Sequence, residues 1–357
     1  MDQPTAAAVL PLLGDCPIGR PYQFLPSLDS TNQRLRRQAE EGAPEGAVLV
    51  ADEQTGGRGR RGRSWVSPPG AGIWMSVLLR PQLPPGRAGL LALMTAVAVR
   101  EAVAAVAGVE GRIKWPNDLL LGDRKVCGIL LDAALGPDHV RYAVVGVGLN
   151  VRPPQGGFPP DVAAAAATLE EAAGRRLRRP ELVAALCRSL ARWYERLGAG
   201  GEADVLDAWR QGAAWLLGRR VTVSAGEQAE PAAAGQEGGR LEGIAVDIAP
   251  DGGLIVRTGG GERVVYASDV SLQVPDGTGH DAAGIRPGTG AGSRTGAGPR
   301  TGSGTAPAPA PAPPPAPAPA PARRGPSRGA PRRAAPAPCG AWEGLCCRCP
   351  DVRPPPT

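Results

Sequence analysis

The sequence predicts an α+β protein: a mixed sheet backed by helices, then a small β-barrel, then a low-complexity tail. Three observations carry this. Between residues 22 and 215, apolar strand-like runs alternate with helical runs, the pattern of a sheet with helices packed on it. Four short strand signals crowd into residues 216–274, a density that suits a small barrel. From residue 275 the chain turns to Gly-Thr-Gly-Ala and Ala-Pro repeats, with too few apolar side chains to offset the entropy of ordering. The expected organisation is an N-terminal extension (1–21), a main domain (22–215), the barrel (216–274) and a disordered Pro/Ala/Gly/Arg-rich tail (275–357). Within the tail, the stretch from Ala306 to Ala322 favours polyproline II.

Taken in order, Ser30-Thr31-Asn32 offers N-cap oxygens ahead of a helix over 33–40. A turn at 42–46 leads into an apolar strand at 47–51, and a second strand follows at 73–79. The Ala/Leu/Val-rich run 88–107 has no helix breaker and reads as a buried helix. Short strands are expected at 112–115, 119–121, 126–131 and 142–149, and helices at 162–172, 180–197 and 202–214. Strands at 220–223, 241–246, 253–257 and 262–266 make up the barrel, with Asp251-Gly252 as a hairpin turn.

Composition excludes some functions. Residues 275–357 carry ten Arg against four Asp or Glu, a net of +6, which is the net charge of the whole chain. Residues 1–274 are therefore formally neutral, and the basic balance is no argument that the folded part binds nucleic acid. Cys16, Cys127 and Cys187 are scattered, as in a reduced cytoplasmic protein. Cys339, Cys346, Cys347 and Cys349 lack zinc-ribbon spacing. The N-terminus has no basic region of a secretory signal, and no apolar run is expected to span a membrane. The only histidines are His139 and His280, and no nucleophile–base motif is evident.

Two segments hold the chemistry. The chain has only two lysines among its 40 basic residues, and both fall in Lys114-Trp115-Pro116-Asn117-Asp118 through Lys125-Val126-Cys127-Gly128. An ammonium is a compact point charge that Arg does not reproduce, so two of them beside a Pro-Asn-Asp turn suit a phosphate or carboxylate. Upstream, Gln54-Thr55-Gly56-Gly57-Arg58-Gly59-Arg60-Arg61-Gly62-Arg63-Ser64-Trp65 holds four Gly and four Arg within eight residues. It matches neither a Walker A loop nor GxGxxG. Lying between two core strands, it has the character of a cationic clamp that orders over a ligand. In isolation the same run would read as a solvated basic loop or a nucleic-acid patch.

These segments, with Asp29-Ser30-Thr31-Asn32 before them and Gly146-Val147-Gly148-Leu149-Asn150 after, resemble the biotin protein ligases in four ordered motifs. The resemblance runs from Asp29 to Asn150 and weakly on to Val274. It implies a catalytic domain of class II synthetase type over 22–215 and a Src-homology-type barrel after it. It implies ATP-dependent biotinylation of a lysine on the biotin carboxyl carrier domain of acetyl-CoA carboxylase or a related carboxylase, through biotinyl-5′-AMP. The substrates are biotin and ATP with Mg2+. By resemblance, the catalytic set is Lys125, Arg60 and Lys114. Ser30, Thr31, Asn32, Gln54, Gly57, Arg58, Gly59, Arg60, Lys125 and Gly128 face biotin. Arg58, Arg63, Trp65, Lys114, Asn117 and Asn150 face ATP. Asp118 either binds magnesium or holds its turn.

Only about twenty residues precede Tyr22, so neither a helix-turn-helix nor operator DNA binding is expected. No membrane partner is expected, and the sequence leaves homodimerisation open. The rival readings are a lipoate or octanoate ligase of the same superfamily, and nucleic-acid binding through the Arg loop and basic tail.

Overall fold

The computed structural model describes residues 2–224, 240–266 and 269–272. The expectations for the tail, its four cysteines and His280 lie outside them. The described chain opens with helix α1 (Ala6–Leu13), to which the sequence reading assigned no element. Val9 and Leu13 are buried in the main core, and α1 packs on the later helix α6 (Arg179–Gly198). Strand β1 (Tyr22–Leu28), helix α2 (Thr31–Glu40), β2 (Val48–Gln54), β3 (Gly72–Leu79) and helix α3 (Gly89–Ala107) follow. Then come β4 (Arg112–Lys114), β5 (Asp118–Leu121), β6 (Arg124–Leu135) and β7 (Val140–Asn150). These strands form one seven-stranded sheet in the order β1-β2-β3-β7-β6-β5-β4. Only β1 and β2 pair in parallel; the other pairs are antiparallel, so the sheet is mixed as expected.

The alternation of side chains along each strand places the core and the site on opposite faces. Ile73, Met75, Val77 and Leu79 of β3, with Ala143, Val145, Val147 and Leu149 of β7, bury into one large cluster with α3 and α6. On the other face, Leu78, Tyr142 and Val144 are covered by Leu35 and Ala39 of α2. Further along that second face, apart from Trp74, the residues become small or polar: Ser76 on β3, Gly146, Gly148 and Asn150 on β7. No apolar helix covers this half, and a pocket forms there.

Helix α3 corrects one expectation. Pro85–Ala107 is long and apolar enough to cross a membrane, contrary to the expectation that no apolar run is. Its place is internal: 67 % of that window is buried within the fold, against α6 and helix α7 (Glu202–Gly212). The helix expected at 162–172 is instead two short ones, α4 (Pro160–Ala163) and α5 (Leu169–Ala173). The break has a cause, since Ala165–Ala167 leaves the helix to bond Lys125. Lys125 N–H donates to Ala165 O at 2.7 Å, and Ala167 N–H donates to Lys125 O at 2.9 Å.

A second, antiparallel sheet occupies the barrel region. It is formed by β8 (Arg220–Ser224), β9 (Arg240–Ile248), β10 (Leu254–Thr258), β11 (Gly261–Val265) and β12 (Asp269–Leu272), ordered β11-β10-β9-β8-β12. Both sheets lie in one compact unit. Trp115 Nε1 donates to Gly252 O at 3.0 Å, and Arg210 on α7 pairs with Asp247 on β9 at 2.7 Å.

Candidate functional site

A cavity of about 230 Å3 opens on the second face of the large sheet. The Gly-Arg run folds over it as a hairpin. Gln54 N–H donates to Ser67 O, Trp65 N–H to Gly57 O, and Gly59 N–H to Arg63 O, all within 3.0 Å. The tip turns at Arg60–Gly62, with Arg61 at φ 55° and Gly62 at φ 71°. Arg61 is the one non-glycine residue at positive φ among the described residues, a conformation that other side chains rarely hold. With its amide oxygen turned inward, Gln33 of α2 accepts from Arg58 NH1 and NH2 at 2.7 Å, fastening the hairpin to the helix.

The lining brings together Ser30, Thr31, Asn32, Gln54, Arg58, Gly59, Arg60, Arg63, Trp65, Asn117, Asp118, Lys125, Gly128 and Asn150, all singled out in the sequence. Two of the predicted residues are missing from it. Lys114 sits on edge strand β4, in register with Asp118 and beyond the cavity. Gly57 is a half-exposed residue of the hairpin itself and does not line the cavity. A Cβ there would stand 2.3 Å from Trp65 O, so its glycine serves a close backbone crossing.

Ser30 and Thr31 also depart from their expected capping role. Ser30 is the N-cap residue of α2, yet makes no side-chain cap bond. Thr31 turns inward: its N–H donates to Gln54 Oε1 at 2.9 Å, and its hydroxyl lies 2.7 Å from Ser76 Oγ. Gln54 Nε2 in turn donates to Ser67 Oγ at 3.0 Å. Asn150 lines the cavity, but its Nδ2 donates to Ala167 O at 3.2 Å and so anchors the segment that bonds Lys125.

Lys125 occupies the centre. Its ammonium lies 2.6 Å from Asp118 Oδ1 and 5.1 Å from the centre of the Trp65 ring. The Asp118 contact is a charge contact without hydrogen-bond alignment, so Oδ1 is buried without a hydrogen-bond partner. The Trp65 indole lies in a slot between Gly128 and Gly148, which pair across β6 and β7. A Cβ on Gly148 would come 2.5 Å from Trp65 Nε1, and one on Gly128 would come 3.0 Å from Trp65 Cζ3. Trp65 Nε1 is itself buried and unpartnered. Gly146 is required for a similar reason, because a Cβ would stand 2.2 Å from Asn32 Oδ1. The functional roles of Gly146 and Gly148 were visible in the sequence only as a motif. Ser67, Ser76 and Asp132, which bond the lining residues from behind, carried no sequence signal.

Around this cavity Arg58, Arg60, Arg63 and Lys125 face a single lining carboxylate, Asp118. Arg60 NH1 donates to Asn117 Oδ1 at 3.3 Å, linking the hairpin to the β4–β5 turn. Such a concentration of cations in a partly enclosed site suits a ligand with several negative charges. Among the described residues no cluster of three or more His, Cys, Asp or Glu could hold a metal ion by itself.

Comparison with known proteins agrees with the geometry. Residues 24–150 match the model of the biotin/lipoate A/B protein ligase family, and residues 233–273 match the biotin protein ligase C-terminal domain. The chain is 33 % identical over 245 residues to the bifunctional ligase/repressor BirA of Bacillus subtilis, covering 69 % of this chain and 72 % of that protein. It is 34 % identical over 252 residues to the biotin–[acetyl-CoA-carboxylase] ligase of Paracoccus denitrificans, covering 69 % of this chain and 98 % of the relative. Among solved structures it resembles the biotin protein ligase of Aquifex aeolicus in complex with biotin and ATP. There the TM-score is 0.58 at 28 % identity, over 70 % of this chain and 97 % of that one.

Proposed function

The chain belongs to the biotin protein ligase family, and from that premise we propose that the cavity under the Gly-Arg hairpin is where biotin and ATP react. The enzyme is a biotin protein ligase, ATP-dependent and working through biotinyl-5′-AMP. The observation that carries the site assignment is the charge: four cations against one carboxylate in a cavity closed on one side by a glycine-rich hairpin.

In the first step a biotin carboxylate oxygen attacks the α-phosphorus of ATP. The new P–O bond gives a mixed anhydride, and the bond to the β-phosphate breaks, releasing pyrophosphate. Negative charge builds on the α-phosphoryl oxygens and the leaving group. This kind of step needs positioned charge more than covalent help, which fits a chain with no histidine in the cavity. Lys125 has three N–H donors. Asp118 lies against the ammonium and the Trp65 face beside it, so a donor remains to bridge the carboxylate and the α-phosphate. Arg58, Arg60 and Arg63 reach from the hairpin to the phosphates, and the closed hairpin keeps water from the anhydride. Ser30, Thr31, Asn32 and Gln54 supply polar contacts at the inner end, for the ring of biotin.

Magnesium enters this reading as the counter-ion that ATP brings. Mg2+ bound with nucleotide typically takes only one or two carboxylates, and Asp118, the one carboxylate lining the cavity, is the side chain that would supply it. In the second step the ε-amine of an acceptor lysine attacks the acyl carbon, loses a proton, and AMP leaves. We assign the acceptor as the biotin carboxyl carrier domain of acetyl-CoA carboxylase or a related carboxylase, in line with the relative from Paracoccus denitrificans.

Incubating the protein with biotin, MgATP and a purified carrier domain tests this. A mass gain of one biotin on a single carrier lysine is expected. An unmodified carrier, with the biotin consumed or not, would contradict the acceptor assignment.

A further inference from the structure

The cavity face of the large sheet continues past the cavity. Asp118 of β5 lines the cavity, whereas Ile113 of β4 and Leu119 of β5 are buried in the main core on the opposite face. Side chains alternate along a strand, so Arg112 and Lys114 of β4 stand on the cavity side. Lys114 is in register with Asp118, one strand spacing, about 5 Å, farther out. Beyond it the sheet ends, because β4 is its last strand.

This edge is cationic, and its backbone is partly covered. The Arg112 guanidinium lies 5.9 Å from the centre of the Trp215 ring, and Arg219 Nε donates to Trp215 O at 3.0 Å. Trp215 Nε1 donates to Ile113 O at 3.0 Å, taking a carbonyl that an added strand would need. A partner therefore meets side chains here rather than extending the sheet. Arg112 and Arg219 are exposed and Lys114 is half-buried. Among the described residues none of these three has an ion-pair partner. The acid nearest in sequence is exposed Glu110, two residues before Arg112.

The second step of the reaction fixes the kind of partner. Once pyrophosphate has left, the bound adenylate holds a single phosphate charge, while the lining sets Arg58, Arg60, Arg63 and Lys125 against Asp118 alone. The acceptor side chain is itself an ammonium at neutral pH. It enters against like charge unless its own protein brings negative charge with it. A protein that seats a lysine in this cavity also covers the surroundings of the mouth. A specific interface takes about 800 Å2 from each partner, so an edge about 5 Å beyond Asp118 falls beneath it.

We propose that the outer edge of β4, Arg112 and Lys114 with Arg219 beside them, is the docking surface for an acidic face of the protein that carries the acceptor lysine. This rests on the ligase reading and deepens it. The edge cations draw the acidic face in and hold it over the mouth, which offsets the repulsion between the entering ammonium and the cavity. They take no part in making the adenylate.

The test reverses the charge of the two exposed arginines in the full chain, Arg112→Glu with Arg219→Glu, and follows the two steps separately. Pyrophosphate release from biotin and MgATP without acceptor is expected at the wild-type rate. Transfer to a purified carrier domain is expected to lose about tenfold or more in kcat/KM, through KM. Added salt should slow transfer by the wild type and leave the variant nearly unaffected. Arg112→Lys with Arg219→Lys keeps the charge but not the planar stacking on Trp215, and transfer should stay near wild type. Wild-type transfer in the Glu variant, or an equal loss in the Lys variant, overturns the proposal. So does a raised KM for ATP, which would give the edge to the nucleotide phosphates. A wild-type chain that neither releases pyrophosphate nor labels the carrier overturns the ligase reading instead.

Discussion

At the scale of single residues, the two lysines separate. Both stood out in the sequence because arginine serves almost everywhere else, yet only Lys125 lies in the cavity. Lys114 sits on the edge strand β4, two strands out from β6. Spacing along the chain does not reveal that difference; the strand order does. Lys125 is held between Asp118, the Trp65 ring and the glycine slot. Lys125→Ala is expected to lower the rate of pyrophosphate release by ~10²–10³-fold, the usual loss for one charged donor at a developing anion. Lys125→Arg is expected to recover little, because a planar guanidinium does not fit beside Trp65 and the bare face of Gly128. Release at the wild-type rate in Lys125→Ala would remove this residue from the chemistry. The lining residues were legible because they belong to dense motifs. Ser76 and Asp132 were not, because a lone Ser or Asp in an apolar strand has no signature until its neighbour in space is known.

At the scale of elements, the hairpin over 57–64 carries most of the site's cations on a short connection between buried strands. Its tip holds Arg61 at positive φ. Glycine supplied the clue to its function, but not its paired form, which depends on Gly57 letting the Trp65 backbone cross at close range. Ligand phosphates bridging Arg58, Arg60 and Arg63 should fasten it further. Limited proteolysis is expected to cut within 57–64 in the free protein and to be suppressed by biotin with MgATP together. Equal cleavage in both states would show that the hairpin does not act as a lid. The core strands and helix α3 were readable from apolar runs. The break between α4 and α5 was not, because it is caused by Lys125, forty residues away in sequence and bonded through its backbone.

At the scale of the whole molecule, an ion network ties the chain's beginning to its middle. Arg152, just past β7, pairs with Asp2 at 2.5 Å and Glu170 at 2.7 Å. Buried Arg179 joins Asp2 and Asp52, the latter at 2.6 Å. Burial pushes the Glu170 carboxyl up, but the Arg152 fork, the Leu177 N–H and Arg176 outweigh it, and its pKa falls below the ordinary value. Asp2 behaves alike: burial raises it, while the Arg179 N–H and the Arg152 guanidinium bring it down on balance. A carboxyl with a depressed folded-state pKa stabilises the fold above its unfolded pKa and loses that contribution as pH falls through the folded value. The melting temperature should therefore hold steady from neutral pH to about 5 and drop below about pH 4, the ordinary carboxylate range. Glu170→Gln should melt lower at neutral pH and show a shallower acid decline. A parallel decline in wild type and variant would remove Glu170 from the account. None of this network was foreseen, because it joins residues 2, 52, 152, 170 and 179, which only the folded sheet brings together.

The most direct test of the central claim, that this cavity activates biotin as an adenylate, is mass spectrometry of the small molecule retained by the protein after incubation with MgATP and either biotin or lipoate. Biotinyl-5′-AMP is expected from the first mixture and no adenylate from the second. Lipoyl-5′-AMP in comparable amount would contradict biotin as the substrate, and no adenylate from either acid would contradict the assignment of the cavity.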